Sequence, residues 1–251
     1  MPDAADLDRL EQRLIARAGG FLRNPVRRPR VTCTTCMTPT ADYVRCHSCQ
    51  RHLSAHGRDL ADAVGVLTYA VGGEQAAYMM RGYKATRPVN EHLAVVSMLT
   101  WLATGLHGGC CGTVAGLPVT HWATVPSLPP KPGEHPLHRI VGAYPPAEFE
   151  AALVGLPDVP SPRDAAHDHF RARDLPREAH VLLVEDTWTQ GGHAQSAALA
   201  LRRAGARRIS ILAIARWINR EFGGNAAFVD QLRSDFDPRR CPWTGGECPG
   251  N

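Results

Sequence analysis

Hydrophobic and polar positions along the 251-residue chain fall into blocks that predict a mixed α/β domain. Continuous apolar runs are typical of strands that are buried on both faces of a parallel sheet. Three such runs are VGVLTYAV at 64–71, HVLLVED at 180–186 and RRISILAIARWI at 207–218. A helix is predicted over 191–206, between the last two runs, with Gly205 near its C-terminus. A strand, a helix and a strand within about 35 residues form a βαβ unit, so we predict a parallel sheet.

Other periodic segments surround this unit. Apolar residues at three- and four-residue steps predict an amphipathic N-terminal helix over 4–23. We also predict helices over 74–81, 89–106 and 147–153, a strand over 119–125 and a polar excursion over 156–178. The tail from Phe222 onward is rich in Gly, Pro and charge, and we expect it to be peripheral.

These patterns divide the chain into four segments. Residues 1–30 hold the N-terminal helix and a basic, Pro-broken linker, and 31–58 hold a cysteine-rich segment. Residues 59–220 form the main domain, and 221–251 form the tail.

Composition favours a folded protein outside the membrane. Hydrophobic residues make up 44% of the chain and charged residues 21%, which argues against wholesale disorder. The longest apolar stretch, Leu93–Leu106, has 14 residues, fewer than the roughly 20 that span a bilayer. No basic leader precedes an apolar core at the N-terminus, so we expect no secretory signal and a cytoplasmic location.

The net charge of +4 is unevenly distributed. Ten Arg against four Asp and one Glu give residues 1–58 a charge of +5, and the remainder carries −1. This basic N-terminal segment could contact nucleic acid or an acidic partner. The positive charge of this segment is explained equally well by solvation of its surface and by a general bias towards arginine, since the chain has 26 Arg and only two Lys.

Two cysteine pairs near the N-terminus predict a structural zinc site. They are CTTC at 33–36 and CHSC at 46–49, so the candidate ligands are Cys33, Cys36, Cys46 and Cys49. Each pair can present two thiolates about 2.3 Å from one tetrahedral zinc ion. Four thiolates leave no open coordination position, so the predicted role is structural. Cys110, Cys111, Cys241 and Cys248 form no specific spacing and are left out of the site.

The stretch VLLVEDTWTQGG at 181–192 places Glu185 and Asp186 at the carboxyl end of a predicted strand, where ligands of open α/β sheets gather. Small residues then lead to a helix N-terminus, whose N–H groups and dipole favour a phosphate. Adjacent carboxylates can accept hydrogen bonds from two ribose hydroxyls or help to hold Mg²⁺. A plain strand–turn–helix, capped by Thr189, explains the residues equally well.

The same stretch resembles a known family. VLLVEDTWTQGG is similar to the diphosphoribosyl-binding signature of type I phosphoribosyltransferases, in which two acids follow an apolar strand and precede a Thr-Thr-Gly turn. The similarity extends to the ComF-like branch, which also carries a four-cysteine zinc segment before the transferase domain. YMMRGYK at 78–84 and VPSL at 125–128 resemble the basic segment and the pyrophosphate loop of that branch. The resemblance covers roughly 31–218.

The resemblance implies a fold, a ligand and a reaction. The fold would be a parallel-sheet, type I phosphoribosyltransferase-like α/β domain behind a small zinc-ribbon-like segment. Glu185 and Asp186, as the catalytic pair, would bind the ribose hydroxyls of phosphoribosyl diphosphate, which arrives with Mg²⁺. The reaction would displace pyrophosphate at the anomeric carbon.

It also implies roles for the neighbouring residues. The 5-phosphate would be wrapped by Thr189, Gln190, Gly191, Gly192 and His193. The pyrophosphate loop would be shaped by Val125, Pro126 and Ser127, with Lys131 as a charge partner and Arg81 and Lys84 as weaker candidates.

Three positions depart from the signature. Glu185 replaces the usual first Asp, Gln190 replaces the second Thr, and His193 stands where a small or hydroxyl residue is usual. Trp188, inside the turn, either stacks on a base or packs against the adjacent loop.

Two main functions stay open. The first is an enzyme that transfers a phosphoribosyl group to an acceptor that the sequence does not identify. The second is a non-catalytic ligand-binding or assembly module linked to DNA uptake, although no aromatic residues interleave the N-terminal arginines as a stacking platform requires. An unrelated α/β protein with a zinc clip is a third interpretation, and the oligomeric state is open.

Overall fold

A four-stranded parallel sheet lies at the centre of the protein. A computed structural model describes residues 3–159 and 163–250. The strands of the sheet, in the order β1–β6–β5–β2, are β1 (Ala63–Val71), β2 (His121–Thr124), β5 (His180–Trp188) and β6 (Arg208–Ile218). β3 (Leu153–Gly155) and β4 (Phe170–Ala172) form a separate antiparallel pair. The predicted α/β fold with a parallel sheet is therefore confirmed.

Eight α-helices are present in the described ranges. They are α1 (Ala4–Leu14), α2 (His47–His56), α3 (Gln75–Gly82), α4 (Asn90–His107), α5 (Cys110–Ala115), α6 (Pro136–Val141), α7 (Gly192–Arg203) and α8 (Asn225–Val229). A π-helical turn, Ile15–Gly19, extends α1, and 3-10 turns lie at Gly57–Asp59 and Ala147–Phe149. Within residues 3–159 and 163–250, no helix has both the length and the apolar character that a bilayer crossing needs.

The sheet is covered on both faces because alternate residues of its strands enter two different cores. Val184 of β5 and Leu212 of β6 belong to the core that also contains residues of α1, α3 and α4. Leu183 and Ile211 belong to the opposite core, which contains α7 and the N-terminal cysteines. This arrangement explains the continuous apolar runs of β5 and β6, since neither face of the sheet meets water.

Three regions between β2 and β5 differ from the sequence prediction. Pro136 opens α6 in a Pro-rich stretch for which no helix was predicted, and proline is well tolerated in the first turn of a helix. The helix predicted over 147–153 is only a 3-10 turn that leads into β3. The excursion over 156–178 contains β4.

The C-terminal tail packs against the N-terminal segment. Phe236, Cys241 and Trp243 are buried in the same core as α1 and α4, whereas composition placed the tail at the periphery. The side-chain amide of Asn24 donates to the Asp237 carbonyl at 2.8 Å, and the Asp237 N–H donates back to Asn24 Oδ1 at 2.8 Å. The tail is thus part of the folded domain.

Candidate functional site

The carboxyl end of β5 presents two acids in different environments. Asp186 is buried, with 7% of its surface exposed, whereas Glu185 is half-buried. Glu185 folds back on the chain, and its Oε1 accepts a hydrogen bond from the Asp186 N–H at 3.0 Å. β5 is an interior strand of the sheet, so both carboxyls stand where ligands of such sheets bind.

Asp186 is surrounded by three polar side chains from two other segments, and two of them donate hydrogen bonds to it. The Tyr83 hydroxyl donates to Asp186 Oδ2 at 3.0 Å, and Lys84 Nζ donates to the same oxygen at 2.5 Å. His135 Nε2 lies 3.6 Å from that oxygen. His135 Nδ1 accepts from the Leu137 N–H at 3.1 Å, which leaves Nε2 as the protonated nitrogen of the neutral ring.

Burial and charge separate the two carboxyls. Burial of Asp186 by itself raises the pKa of its carboxyl, but the charge and hydrogen bond of Lys84, with the hydrogen bond of Tyr83, outweigh it and hold that pKa below its usual value. Burial, followed by the neighbouring Asp186 charge, raises the pKa of Glu185 well above its usual value. Burial likewise lowers the pKa of His135, so its ring is neutral at neutral pH. The site therefore holds one firmly ionised carboxylate beside one that protonates readily.

The turn after β5 requires both of its glycines. Gly191 has a φ of +86°, a left-handed conformation that glycine adopts without strain. A Cβ on Gly191 would lie 2.3 Å from the Trp188 ring, and a Cβ on Gly192 would lie 2.2 Å from the Arg163 carbonyl oxygen. Trp188 is only 1% exposed, so it packs beneath the turn and offers no face to a ligand.

The same turn leads directly into α7. Gly191 is the N-cap, and no side chain caps this helix, so Thr189 does not have the capping role considered above. The first N–H groups of a helix have no partner within the helix, and here the helix begins six residues after Asp186. Thr189 is exposed, Gln190 is half-buried, and burial lowers the pKa of the half-buried His193.

The loop that follows β2 starts beside Val184, the residue before the acidic pair. The Val125 N–H donates to the Val184 carbonyl at 3.0 Å, which continues the pairing of β2 with β5 into the loop. Pro126 and Ser127 are half-buried there, and Lys131 is exposed. Parallel neighbours end at the same edge of a sheet, so the two predicted ligand segments are adjacent.

Of the two weaker basic candidates, only Lys84 reaches the acidic pair. The Arg81 guanidinium instead lies over the Trp217 ring, 4.7 Å from its centroid.

Sequence reasoning missed Tyr83 and His135. The His135-Pro136 pair is the sequence feature that could have indicated His135. Proline favours the first position of a helix, so the residue before it is a natural N-cap.

The four N-terminal cysteines form a compact cluster, as their spacing predicts. Their Sγ atoms lie within 4.8 Å of one another, and Cys36 Sγ is 3.8 Å from Cys46 Sγ. Four sulfurs at about 2.3 Å from a tetrahedral zinc are roughly 3.8 Å apart, so the donor set and its spacing fit this ion. Cys46 is the N-cap of α2, and Cys49 follows in its first turn. This cluster could bind a metal such as zinc.

The N-terminal arginines are largely engaged within the protein. Arg23 donates from Nε to the Leu232 carbonyl, and Arg27 donates to the carbonyls of Thr34 and Val64. Ion pairs hold Arg9, Arg17, Arg30 and Arg51. Six of the ten arginines in 1–58 therefore have intramolecular partners, which weakens the case for a free basic surface.

Comparison with known proteins gives no further assignment, since neither a protein-family model nor a curated protein sequence matches the chain.

Proposed function

We propose that this protein is a ComF-like, phosphoribosyltransferase-type protein that binds Mg²⁺–phosphoribosyl diphosphate at the carboxyl end of β5. One observation carries the proposal. An ionised Asp186, a second carboxyl and a glycine-containing turn that opens α7 without a side-chain cap lie within eight residues, 185–192. Such a site can accept sugar hydroxyls at one end and a phosphate at the other.

The two halves of a ribose 5-phosphate have separate receptors in this proposal. Asp186 and Glu185 accept hydrogen bonds from the ribose hydroxyls. The backbone of 189–193 would surround the 5-phosphate, because the first N–H groups of α7 have no partner within the helix and no side chain caps them. His193, neutral because burial lowers its pKa, adds one ring N–H as a donor.

The pyrophosphate faces cations and the loop at 125–131. Lys84 lies at Asp186, where its ammonium can turn to a diphosphate oxygen, and Lys131 lies in the loop. Carboxylate oxygens suit Mg²⁺, and two carboxyls are too few to enclose it. We infer that Mg²⁺ is held mainly by the diphosphate and water, and that it neutralises charge on the leaving group.

Transfer would break the anomeric C–O bond to pyrophosphate and form a bond from that carbon to a nitrogen of the acceptor, whose N–H proton passes to water. Positive charge that develops on the sugar is stabilised by the Asp186 carboxylate, and negative charge on pyrophosphate by Lys84. The protein otherwise contributes by positioning the reactants.

Isothermal titration of the full chain with Mg²⁺–phosphoribosyl diphosphate tests the binding claim. Asp186→Asn keeps the shape of the side chain and removes its charge, so we expect affinity to fall at least about tenfold, roughly 1.4 kcal/mol. Asp168→Asn is the matched control, because the Asp168 side chain is 76% exposed and lies outside the site. Equal affinities of the wild type and Asp186→Asn would overturn the proposal.

A screen of nitrogenous bases for pyrophosphate release then separates the two functions. Release with any base supports the transferase. Binding of the ligand without release, combined with salt-dependent affinity for single-stranded DNA, supports the ligand-binding module linked to DNA uptake, because phosphate contacts release counterions.

A further inference from the structure

A second cluster of metal-binding side chains lies far from the acidic pair. It contains His107, Cys110, Cys241 and Cys248, whose ligand atoms all lie within 4.8 Å of one another. His107 ends α4 and Cys110 begins α5, while the other two cysteines come from the C-terminal tail. The fold thus joins two short pairs that are more than 130 positions apart in the sequence.

His107 is oriented as a metal ligand would be. Its Nδ1 faces Cys248 Sγ at 3.3 Å, and its Nε2 lies 2.9 Å from the Pro238 carbonyl oxygen. Metal-bound histidines commonly donate their second ring N–H to a carbonyl, which fixes the ring and its tautomer. With Nε2 donating to Pro238, the Nδ1 lone pair points into the cluster.

The tail forms a closed loop around Cys241. The Cys241 N–H donates to the Gly246 carbonyl at 2.8 Å, and the Gly245 N–H donates to the Cys241 carbonyl at 2.8 Å. Gly245 has a φ of +81°, which permits the tight return of the chain. Two of the four candidate metal ligands are buried at this loop, since His107 is 3% exposed and Cys241 is 1% exposed. The cluster is therefore supported by a preformed backbone.

We propose that His107, Cys110, Cys241 and Cys248 bind a second, structural zinc ion that fastens the C-terminal tail to the junction of α4 and α5. Three thiolates and one imidazole are a common ligand set for structural zinc and complete a tetrahedral shell. A disulfide would use only two of the four groups and would leave the orientation of His107 unexplained.

Zinc content per chain tests the proposal by elemental analysis of the purified full-length protein. We expect two zinc ions in the wild type and one in Cys110→Ser/Cys248→Ser. Cys36→Ser/Cys46→Ser should also retain one, because it removes only the N-terminal cluster. Cys111→Ser is the matched control: Cys111 is buried in the same helix, but its Sγ donates to the Gly108 carbonyl and lies outside the cluster.

One zinc ion in the wild type that survives Cys110→Ser/Cys248→Ser would overturn the proposal. A disulfide among Cys110, Cys241 and Cys248, found by mass spectrometry of the alkylated protein, would overturn it as well. Cys248 is exposed, so the single variant Cys248→Ser should fold normally. Titration with Co²⁺ should then show full thiolate-to-cobalt absorption at two sites in the wild type and a weakened second site in Cys248→Ser.

Discussion

At the residue scale, the turn that would receive the phosphate is shaped by a contact between a glycine and a tryptophan. Gly191 combines a positive φ with a Trp188 ring that occupies the space of a Cβ. Trp188 is also held by its neighbour Arg216, whose Nη1 donates to the Trp188 carbonyl at 2.9 Å. The turn therefore has little freedom to move away from an added methyl group.

We predict that Gly191→Ala destabilises the protein by about 1–3 kcal/mol, because it adds backbone strain and displaces a buried ring. Chemical denaturation followed by tryptophan fluorescence measures the change. Gly20→Ala is the control, since Gly20 has a φ of −71° and no atom within 4 Å of an added Cβ. If Gly191→Ala lowers the free energy of unfolding no more than Gly20→Ala does, the turn is not constrained by Trp188 and the positive φ.

The raised pKa of Glu185 leads to a prediction about pH. A raised pKa means that the folded protein binds a proton at Glu185 at a pH where a free carboxyl is ionised. If a Mg²⁺-bearing ligand requires the ionised form, binding releases this proton, and affinity rises with pH until Glu185 is ionised in the free protein.

Calorimetry in buffers of different ionisation enthalpy, at about pH 6, counts the protons released on binding of Mg²⁺–phosphoribosyl diphosphate. Glu185→Gln removes the group and should reduce the count by up to one proton. The same count in Glu185→Gln and wild type would rule out a role for Glu185 in the linkage.

At the element scale, α1 shows how one face of a short helix attaches to the core. Leu14 is fully buried, whereas the next residue, Ile15, is 38% exposed. Leu7 of the same helix lies against Gly105 of α4. The three- and four-residue spacing of apolar positions predicted Leu7, Leu10 and Leu14 on this face, but it also placed Ile15 there, which is wrong.

We predict that Leu14→Ala costs about 2–5 kcal/mol, because it leaves a cavity in the main core. Ile15→Ala, one position along the same helix, should change the free energy of unfolding by less than about 1 kcal/mol. Urea denaturation measures the free energy of unfolding of both variants. Similar decreases for Leu14→Ala and Ile15→Ala would mean that α1 does not pack through Leu14.

The helices and strands with long apolar runs could be predicted from the sequence, whereas the short strands could not. β5, α7 and β6 follow directly from their hydrophobic patterns, since burial on both faces leaves a continuous signal. β3 and β4 have three residues each, too few for a periodic pattern, and their pairing depends on contacts that are distant in sequence. α6 was obscured by the prolines that surround it.

At the scale of the whole molecule, the same division between local and distant signals applies to the candidate sites. The N-terminal cysteine cluster was predictable because its ligands lie within 17 consecutive residues. The acids at 185–186 were also visible in one short stretch. Tyr83 lies 103 positions from Asp186, so only the fold brings the two together. The cluster of His107 escaped notice for the same reason, although His-x2-Cys at 107–110 is a ligand-like spacing.

The contact between the two ends of the chain has a consequence for folding in the cell. Arg239 hydrogen-bonds to Glu11 of α1, 228 positions earlier, and Phe236 and Trp243 complete the core in which Leu14 is buried. At a synthesis rate of about 5–20 residues per second, α1 waits on the order of 10–45 s for these partners. The core around Leu14 can therefore close only after residues 236–243 have been translated.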